Sequence, residues 1–480
     1  MPHCISDIFI FVRYCFPPSY PQGLKQSIMG SSGEKAFPLD VAIVGGGIIG
    51  VMTALGLIHR GMRVTIYERA EDWHEIGAGF AFTAVARDCM QRISPAILEV
   101  LSRISEKTSS SEHTRYWNGF HPRSKDEAQD EATALLFQMA GKELDFWGCL
   151  RSHLLFGMAA LLPEGTAQFG KQLVEYNDDA SKGKVMLGFS DGTEAEADVL
   201  IGCDGIHSTT RKVLLGSDHP AAKPRYTHTV AYRTLVPIDA AIAALGEDKA
   251  RSACMHCGPD ANMMTYPVMN GTLFNIALFA HESDEFPDPI RMTAPATQDQ
   301  VKRAVQGWGP HVAEIASLFP EDGMVKWGIF DMGVPAPTYA RGRVAVAGDA
   351  AHASSPHQGV GACMGVEDAL VICEVLDVAQ ESLANMGGLS TRDSNVREKQ
   401  VTATGAVEQA LHSFSETRMQ RTQWLVRSSR EMGEMYQWRY GPTGRDVARC
   451  KAKLGLASRT VWDFDVNKMV ADARSRAKAW

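Results

Sequence analysis

The sequence lacks long apolar runs and an excess of positive charge. No stretch of its 480 residues approaches the ~18 consecutive apolar residues that a membrane-spanning helix needs, so stable membrane insertion is not expected. The 48 Lys and Arg residues against 56 Asp and Glu residues give a net charge of −8, which does not favour nucleic acid as a partner. Hydrophobic residues nevertheless make up 45% of the chain, and its length favours several domains with buried cores.

Cysteine is also sparse. Ten cysteines are spread along the whole chain, which excludes the dense disulfide framework of a small secreted domain. We therefore expect reduced thiols and a soluble, cytoplasmic protein. The one close pair, Cys254 and Cys257, has no second Cys or His pair at finger-like spacing, so we predict buried thiols and no metal site.

The N-terminus does not match a signal peptide. Its apolar run Ile8–Val12 is interrupted by Arg13 and lacks a preceding basic region, and three prolines follow at 17, 18 and 21. We interpret residues 1–37 as a mobile N-terminal extension.

The first convincing folded unit begins at Val41. The apolar run Val41–Val44 predicts a strand, the following glycines predict a tight turn, and apolar residues at helical spacing through Ile58 predict a helix. Gly61 ends that helix, and the β-branched run Val64–Tyr67 predicts a second strand. Such a βαβ unit favours a parallel sheet that binds its ligand at the carboxyl ends of the strands.

Later segments predict the rest of the architecture. Apolar strands at Ala197–Cys203 and Arg343–Ala347 run into Gly/Asp turns, which predicts a nucleotide-binding domain assembled from non-adjacent segments. Alternating runs at Thr229–Val236 and Leu273–Phe279 predict a mostly antiparallel substrate domain. Helices are predicted over 361–378 and 404–438, with an exposed connection at 380–400. The predicted segments are the extension (1–37), the first part of the nucleotide-binding domain (38–225), the substrate domain (226–333), the second part of the nucleotide-binding domain (334–385) and a C-terminal helical region (386–480).

The pattern Gly45-x-Gly47-x-x-Gly50 has the spacing of a dinucleotide-binding turn. In such a turn the first glycine permits the tight bend, the second lets a pyrophosphate approach the backbone, and the third lets the helix pack on the strand. Glu68 ends the next predicted strand, where a carboxylate can accept both ribose hydroxyl protons. The alternative is a glycine-rich turn of an unrelated α/β fold, and the spacing does not distinguish NAD from FAD.

Two later turns carry a family resemblance. Gly202-Cys-Asp204-Gly and Gly348-Asp349 each place an aspartate beside glycine at a strand end, and a glycine-rich segment ending in Glu367-Asp368 follows the second turn. Together the three motifs resemble the single-component, FAD-dependent class A aromatic hydroxylases, the salicylate-hydroxylase-like group, over nearly all of residues 38–480. The resemblance implies an α/β fold: a Rossmann-like FAD-binding domain of the para-hydroxybenzoate-hydroxylase type, a mostly antiparallel β substrate domain and C-terminal helices.

The resemblance also implies, position by position, which residues contact FAD. These are Gly45, Gly47, Gly50, Glu68, Gly79, Arg151, Asp204, Asp349 and Ala362. Arg151 departs from the family's pattern because no acidic residue stands beside it, and its alternative role is that of a solvated surface arginine. His352 is left out of the catalytic set, because a histidine beside Asp349 can simply bond to the backbone.

A closer resemblance is to fungal monooxygenases that dearomatise polyketide phenols, namely the 3-methylorcinaldehyde monooxygenases of tropolone pathways and their azaphilone counterparts. The similar stretches are Gly77–Thr83, Ala244–Ala250, Trp424–Ser429 and Trp462–Asn467. This resemblance implies that Arg233 and Tyr266 are catalytic and hold the substrate phenol as its phenolate. The alternative is that Arg233 ends a surface strand and Tyr266 fills the core.

The expected activity is hydroxylation of a phenolic polyketide, such as an alkylated resorcylaldehyde, by O2 through a C4a-hydroperoxyflavin. A permanently charged guanidinium at Arg233 would lower the pKa of the phenol and make the ring electron-rich. NADPH or NADH would act as a transient reductant, since one dinucleotide fingerprint is visible. A salicylate or hydroxybenzoate hydroxylase and a non-oxygenating flavin-binding homologue are the alternatives, and the oligomeric state is not defined.

Overall fold

The computed structural model describes residues 38–73, 79–107, 113–120, 135–140, 146–179, 182–389 and 396–479. The predicted N-terminal extension (1–37) lies outside the described residues. The strands are β1 (Asp40–Val44), β2 (Arg63–Tyr67), β3 (Gly79–Phe82), β4 (Glu106–Lys107), β5 (His113–Asn118), β6 (Leu135–Ala140), β7 (Trp147–Leu150), β8 (Ala167–Gln168), β9 (Leu173–Asp179), β10 (Lys184–Phe189), β11 (Glu194–Ala197), β12 (Val199–Gly202), β13 (Arg225–Pro237), β14 (Cys254–Gly258), β15 (Ala261–Val268), β16 (Leu273–His281), β17 (Thr293–Ala296), β18 (Met324–Asp331), β19 (Ala340–Arg341) and β20 (Val344–Val346). The α-helices span Ile48–His59, Ala84–Ile93, Pro95–Ile104, Arg151–Ala159, Thr209–Leu215, Ile238–Leu245, Glu247–Ala250, Gln298–Ala304, Pro310–Ser317, Asp349–His352, Gly361–Leu389, Val396–Tyr436, Val447–Trp462 and Val466–Lys478.

A six-stranded sheet forms the centre of the first domain, in the order β19-β20-β12-β1-β2-β8. Its neighbouring strands run parallel, except that β19 and β20 are antiparallel. Four of the five residues of β1 are buried, as expected for a strand inside a parallel sheet. The predicted βαβ unit is confirmed, and β1, β12 and β20 come together from three distant parts of the chain.

An eight-stranded, mostly antiparallel sheet forms the second domain, in the order β17-β18-β13-β16-β15-β14-β5-β6. The helices Ile238–Leu245, Gln298–Ala304 and Pro310–Ser317 cover one face with a buried apolar cluster. The opposite face turns toward the first domain, since the ring of Phe279 on β16 lies 4.9 Å from that of His357. We call it the flavin-side face, a name justified by the site described below.

Two strands of this second sheet come from an earlier part of the chain. β5 and β6 lie within residues 38–225, which we predicted to belong to the nucleotide-binding domain. β5 pairs in parallel with β14 and so extends the sheet at that edge. The sequence of β5 alternates only over a short run, so nothing local indicated a partner more than a hundred residues away.

The two longest helices, Gly361–Leu389 and Val396–Tyr436, pack against each other. The prediction of an exposed connection at 380–400 is wrong for 380–389 and for 396–400, because these residues belong to the helices Gly361–Leu389 and Val396–Tyr436. Gln380 is fully buried, and its side chain accepts a hydrogen bond from the Leu39 amide and donates one to the Arg60 carbonyl, both at 3.1 Å. Gln380, which the sequence pattern had assigned to a connection, therefore forms hydrogen bonds with two backbone groups of the first domain. Residues 390–395 lie outside the described residues.

Candidate active site

The fingerprint turn has the geometry that its three glycines require. Gly45 has φ +103°, and a Cβ there would overlap the carbonyl of Cys203. A Cβ on Gly50 would overlap the carbonyl oxygen of Gly45, so the helix Ile48–His59 packs on the turn without room for a side chain. Gly47 differs from both, because a Cβ there meets nothing within 4 Å. Open space at Gly47, at the N-terminus of the helix, fits a cofactor pyrophosphate.

Glu68 lies directly beside this turn. One carboxylate oxygen accepts a hydrogen bond from the Gly46 amide at 2.6 Å, and the other accepts one from the Ala70 amide at 2.8 Å. The amide of Gly45 donates to the carbonyl of Tyr67 at 2.9 Å, so β2 delivers the next residue to the turn. The side chain is half-buried, and each oxygen retains a second lone pair for a ribose hydroxyl.

The second motif turn, which contains Asp204 and Gly205, packs against the fingerprint turn at Gly45. The carboxylate of Asp204 accepts hydrogen bonds from the Ser208 hydroxyl at 2.5 Å and from the Thr210 amide at 3.0 Å. Ser208 in turn caps the helix Thr209–Leu215 by accepting from the Arg211 amide at 2.8 Å. Asp204 therefore shapes the loop that holds Cys203 against Gly45, and a contact with the cofactor would use its remaining lone pairs.

The third turn follows β20. Gly348 has φ +60°, a conformation that favours glycine, and Asp349 is exposed at the start of the short helix Asp349–His352. A Cβ built on Gly348 or on Gly365 would contact the side chain of Ile49, the second residue of the fingerprint helix. The third turn and the helix Gly361–Leu389, which carries half-buried Ala362, thus converge on the fingerprint.

Gly79 and Arg151 are brought together by a small sheet. Gly79 on β3 pairs with Leu150 on β7, and Arg151 follows directly as the first residue of its helix. A Cβ on Gly79 would lie 3.1 Å from the carbonyl oxygen of Cys149, which leaves little room for a side chain. Arg151 is exposed to solvent. Residues 74–78, which include part of the similar stretch Gly77–Thr83, lie outside the described residues.

Arg233 and Tyr266 lie on the flavin-side face of the eight-stranded sheet. Arg233 pairs with Ala277 on β16, and Tyr266 pairs with Asn275 two residues away on the same strand. Residues two apart on a strand point to the same face, so both side chains extend from one surface, separated by a single strand.

Both side chains of this pair are partly desolvated by the surrounding protein. Solvent reaches the guanidinium of Arg233, yet surrounding protein atoms desolvate it and lower its pKa. Burial raises the pKa of the Tyr266 hydroxyl, and the neighbouring Arg233 partly opposes that rise. A partly desolvated cation interacts more strongly with an anion than it would in water. Arg233 can therefore stabilise a bound phenolate.

Two further residues of this region were missed by the sequence analysis. Asn275 is largely buried and pairs with Tyr266. His357 contacts the ring of Phe279 on the same face, and burial lowers its pKa to about 4, so its imidazole is neutral. Its Nε2 atom has no hydrogen-bond partner among the described residues. Only its place after Pro356 in the third motif could have indicated this histidine.

His352 and the close pair Cys254 and Cys257 are buried inside the protein. His352 is buried, and its Nε2 atom lies 2.5 Å from the Asp368 carboxylate, a side chain rather than the backbone partner we had considered. Cys254 and Cys257 are free, buried thiols of β14. Burial raises the pKa of Cys254 to about 11.

In the described part of the chain, no helix is long and apolar enough to cross a membrane.

Comparison with known proteins identifies the class. Residues 38–410 match the family model described as FAD binding domain, and the chain belongs to this family. It is 53% identical over 440 residues to an FAD-dependent monooxygenase of Aspergillus terreus (strain NIH 2624 / FGSC A1156), covering 92% of this chain and 97% of the relative. It is 38% identical over 456 residues to the salicylate hydroxylase asL1 of Sarocladium schorii, covering 93% and 92%. A solved structure of a salicylate hydroxylase substrate complex superposes with a TM-score of 0.75 at 29% identity, covering 91% of this chain and 98% of that one.

The protein is thus an FAD-dependent monooxygenase of the class A aromatic hydroxylase type, related to enzymes of fungal secondary metabolism. The predicted fold class is confirmed, with its FAD-binding domain, its antiparallel sheet and its C-terminal helices. FAD is the cofactor, and NAD(P)H is the reductant typical of this family. The open backbone at Gly47 and the glycine-only packing at Gly45 and Gly50 fit this cofactor.

Proposed function

We propose that the protein hydroxylates a phenolic polyketide with loss of aromaticity, and that Arg233 and Tyr266 hold the substrate as its phenolate. The observation that carries the proposal is the placement of both side chains on one face of the eight-stranded sheet, with a single strand between them. The guanidinium stays charged at any physiological pH, so it favours the anionic form of a phenol beside it. Hydroxylation by a flavin enzyme requires an electron-rich ring, and a phenolate provides one.

The proposed functional residues form two sites, one for FAD and one for the phenolic substrate. We propose that Gly45, Gly47, Gly50 and Glu68 hold the ADP part of FAD, with Asp204 supporting that turn, and that Asp349, Ala362, Gly79 and Arg151 contact the ribityl and flavin part. When bound, FAD accepts a hydride from NAD(P)H and activates O2. The protein then contributes position and charge: Arg233 attracts the phenolate oxygen, and the Tyr266 hydroxyl donates a second hydrogen bond that orients the ring.

Loss of aromaticity follows from where oxygen is added. If the attacked carbon carries an alkyl group, no proton is available there to restore the aromatic ring, and the product is a hydroxylated dienone. We propose an alkylated resorcylaldehyde as the substrate. The similarity to fungal FAD-dependent monooxygenases supports this class, and the eight free cysteines described support action in the cytoplasm.

The test is NADPH and NADH oxidation by the FAD-loaded protein with 3-methylorcinaldehyde and salicylate in parallel, followed by mass spectrometry. We expect phenol-stimulated oxidation with 3-methylorcinaldehyde and a product heavier by one oxygen atom that has lost its aromatic absorbance. A product heavier by one oxygen that keeps its aromatic absorbance would reject dearomatisation but retain phenol hydroxylation.

A salicylate hydroxylase is the second candidate, because the salicylate hydroxylase substrate complex shares this fold over 91% of the chain. Catechol formed from salicylate, at a rate far above that with the aldehyde, would favour it. A flavin-loaded protein that oxidises no NAD(P)H in response to either phenol would reject both candidate substrates.

A further inference from the structure

A buried charge cluster lies directly beneath the third turn of the FAD site. Its members are the carboxylates of Glu367 and Asp368 on the helix Gly361–Leu389, the guanidinium groups of Arg418 and Arg421 on the helix Val396–Tyr436, and the imidazole of His352. None of the five exposes more than a small part of its side chain. Buried charges cost several kcal/mol each when unpaired, so their arrangement is specified by the fold.

The cluster contacts the turn through Asp368. One carboxylate oxygen of Asp368 accepts a hydrogen bond from the Gly348 amide at 2.9 Å and contacts His352 at 2.5 Å. The other oxygen accepts a hydrogen bond from the Arg418 Nε atom at 2.7 Å. Asp368 thereby fixes both ends of the segment from Gly348 to His352, which presents Asp349 to solvent.

Arg418 belongs to a different part of the chain and is fully buried. Besides Asp368, its guanidinium contacts the Glu367 carboxylate at 2.6 Å and donates to the Met364 carbonyl at 3.2 Å. Glu367 has a second cationic partner, since Arg421 donates to both of its oxygens at 2.8 and 2.9 Å. Loss of Arg418 would therefore leave Glu367 paired with Arg421, while Asp368 would keep only its contacts with His352 and the Gly348 amide.

We propose that Arg418 is a positioning residue for the flavin site, acting through Asp368 to hold the turn Gly348–Asp349 in its FAD-binding geometry. The inference rests on the proposed contact between Asp349 and FAD. It extends the site to the helix Val396–Tyr436, fifty residues beyond Asp368 in the sequence. Neither Arg418 nor Asp368 touches the cofactor in this proposal.

The charge of Asp368 is the quantity that Arg418 controls. Burial opposes ionisation of Asp368, but His352 and Arg418 together hold its pKa below the usual value of a carboxyl group. Outside these five residues, the titratable groups that interact with the cluster are Tyr339, Cys203, Cys89 and Cys363. Without Arg418, only His352 would oppose the effect of burial, so the pKa of Asp368 should rise and the anion that accepts the Gly348 hydrogen bond should be lost as the pH falls.

The experiment measures the Kd of FAD for the deflavinated full-length protein by flavin fluorescence, between pH 6 and 8. For Arg418→Met we expect the ratio of the variant Kd to the wild-type Kd to be about tenfold or more, a loss of about 1.4 kcal/mol. This ratio should increase as the pH falls. In the double variant Arg418→Met, Asp368→Asn the ratio should no longer depend on pH, because the amide oxygen can accept from Gly348 without carrying a charge.

Arg421→Met is the matched control. It removes a guanidinium of the same helix that pairs with Glu367. Glu367 still pairs with Arg418, and Arg421 has no contact with the turn Gly348–Asp349 among the described hydrogen bonds and ion pairs. We expect its Kd to stay within about threefold of the wild-type value, with no dependence of the ratio on pH. Equal losses in the two variants, or an Arg418→Met ratio that does not change with pH, would overturn the proposal.

Arg418→Lys covers the case in which Arg418→Met does not fold. It keeps the positive charge but loses the fork that bridges the two carboxylates, so we expect a smaller loss of affinity that still increases at low pH. Wild-type FAD binding by this variant at every pH would also overturn the proposal. If Asp349→Ala leaves the Kd unchanged, the contact between the turn and FAD is wrong. If it weakens binding while the Arg418 variants do not, only the role of Arg418 is wrong.

Discussion

Arg233 and Tyr266 project from the same face of the eight-stranded sheet, on strands β13 and β15, with only β16 between them. Adjacent strands lie about 4.8 Å apart, so the two side chains are within reach of one small aromatic molecule. The face also carries Phe279, which contacts His357 from the third FAD motif. This arrangement places the proposed phenolate site against the FAD-binding domain.

Replacing Arg233 by Met tests the role of the charge. We expect FAD binding to be retained and kcat/KM for the phenol to fall about 100-fold, because the phenolate loses its counter-ion. The remaining activity should rise with pH toward the pKa of the free phenol. Stopped-flow kinetics and product analysis provide the measurement. Arg291→Met, which changes an exposed arginine of a distant loop, is the control. A variant with wild-type turnover would remove Arg233 from the mechanism.

Replacing Tyr266 by Phe removes one hydrogen bond and keeps the ring. We expect a loss of about tenfold in kcat/KM, smaller than that for Arg233, since the guanidinium still stabilises the anion. Steady-state kinetics of both single variants and the double variant measure their coupling. Strict additivity of the two losses would contradict a shared ligand for the two side chains.

Gly47→Ala and Gly50→Ala form a pair that separates cofactor binding from folding. A methyl group at Gly47 meets no protein atom within 4 Å, so we expect thermal stability within about 0.5 kcal/mol of wild type but weaker FAD binding. A methyl group at Gly50 collides with the Gly45 carbonyl, so we expect a loss of about 2 kcal/mol or more of folding stability. Calorimetry of the deflavinated proteins and FAD titration measure the two effects. Unchanged FAD affinity in Gly47→Ala would place the pyrophosphate elsewhere.

Asp349→Ala should weaken FAD retention by about tenfold, because an exposed carboxylate at the turn is lost as a hydrogen-bond acceptor. Flavin content after extended dialysis is the measurement. The matched control is Asp322→Ala, an exposed acidic residue of the substrate domain. Equal flavin content in wild type and Asp349→Ala would refute the assignment.

We expect the buried His256 to lower the free energy of unfolding in acid. This histidine is buried on β14, its two ring nitrogens have no hydrogen-bond partner among the described residues, and its ring lies 5.3 Å from that of His311. Burial, together with His311 and Lys249, lowers its pKa well below the ordinary value. The unfolded chain therefore binds a proton that the native protein does not, and stability falls as the pH drops below about 6.5.

Urea denaturation at pH 7.5 and pH 5.5 measures this effect. We expect His256→Phe to reduce the loss of unfolding free energy between the two pH values, while the exposed His412→Gln leaves it unchanged. An equal acid-induced loss in wild type and His256→Phe would show that other groups, such as buried His357, account for it.

Local patterns in the sequence determined the FAD-binding core. The glycine spacing, the β-branched strands and the Gly/Asp turns predicted β1, β2, β12 and β20 with their helix, because the requirements of a tight turn and a buried parallel strand are local. The alternation along β13 and β16 likewise predicted the antiparallel sheet. By contrast, the placement of Arg233 and Tyr266 as catalytic residues came from family resemblance, since their surroundings in the chain read equally well as surface and core.

Only the tertiary structure decided which distant residues meet. The membership of β5 and β6 in the second sheet, the burial of Gln380 and the contact of His357 with Phe279 depend on long-range packing that no local pattern encodes. Arg418 shows this most clearly: on the sequence it is one charged residue in a polar helix, and in the fold it is completely buried. Its charge is tolerated there because Glu367 and Asp368 arrive from another helix.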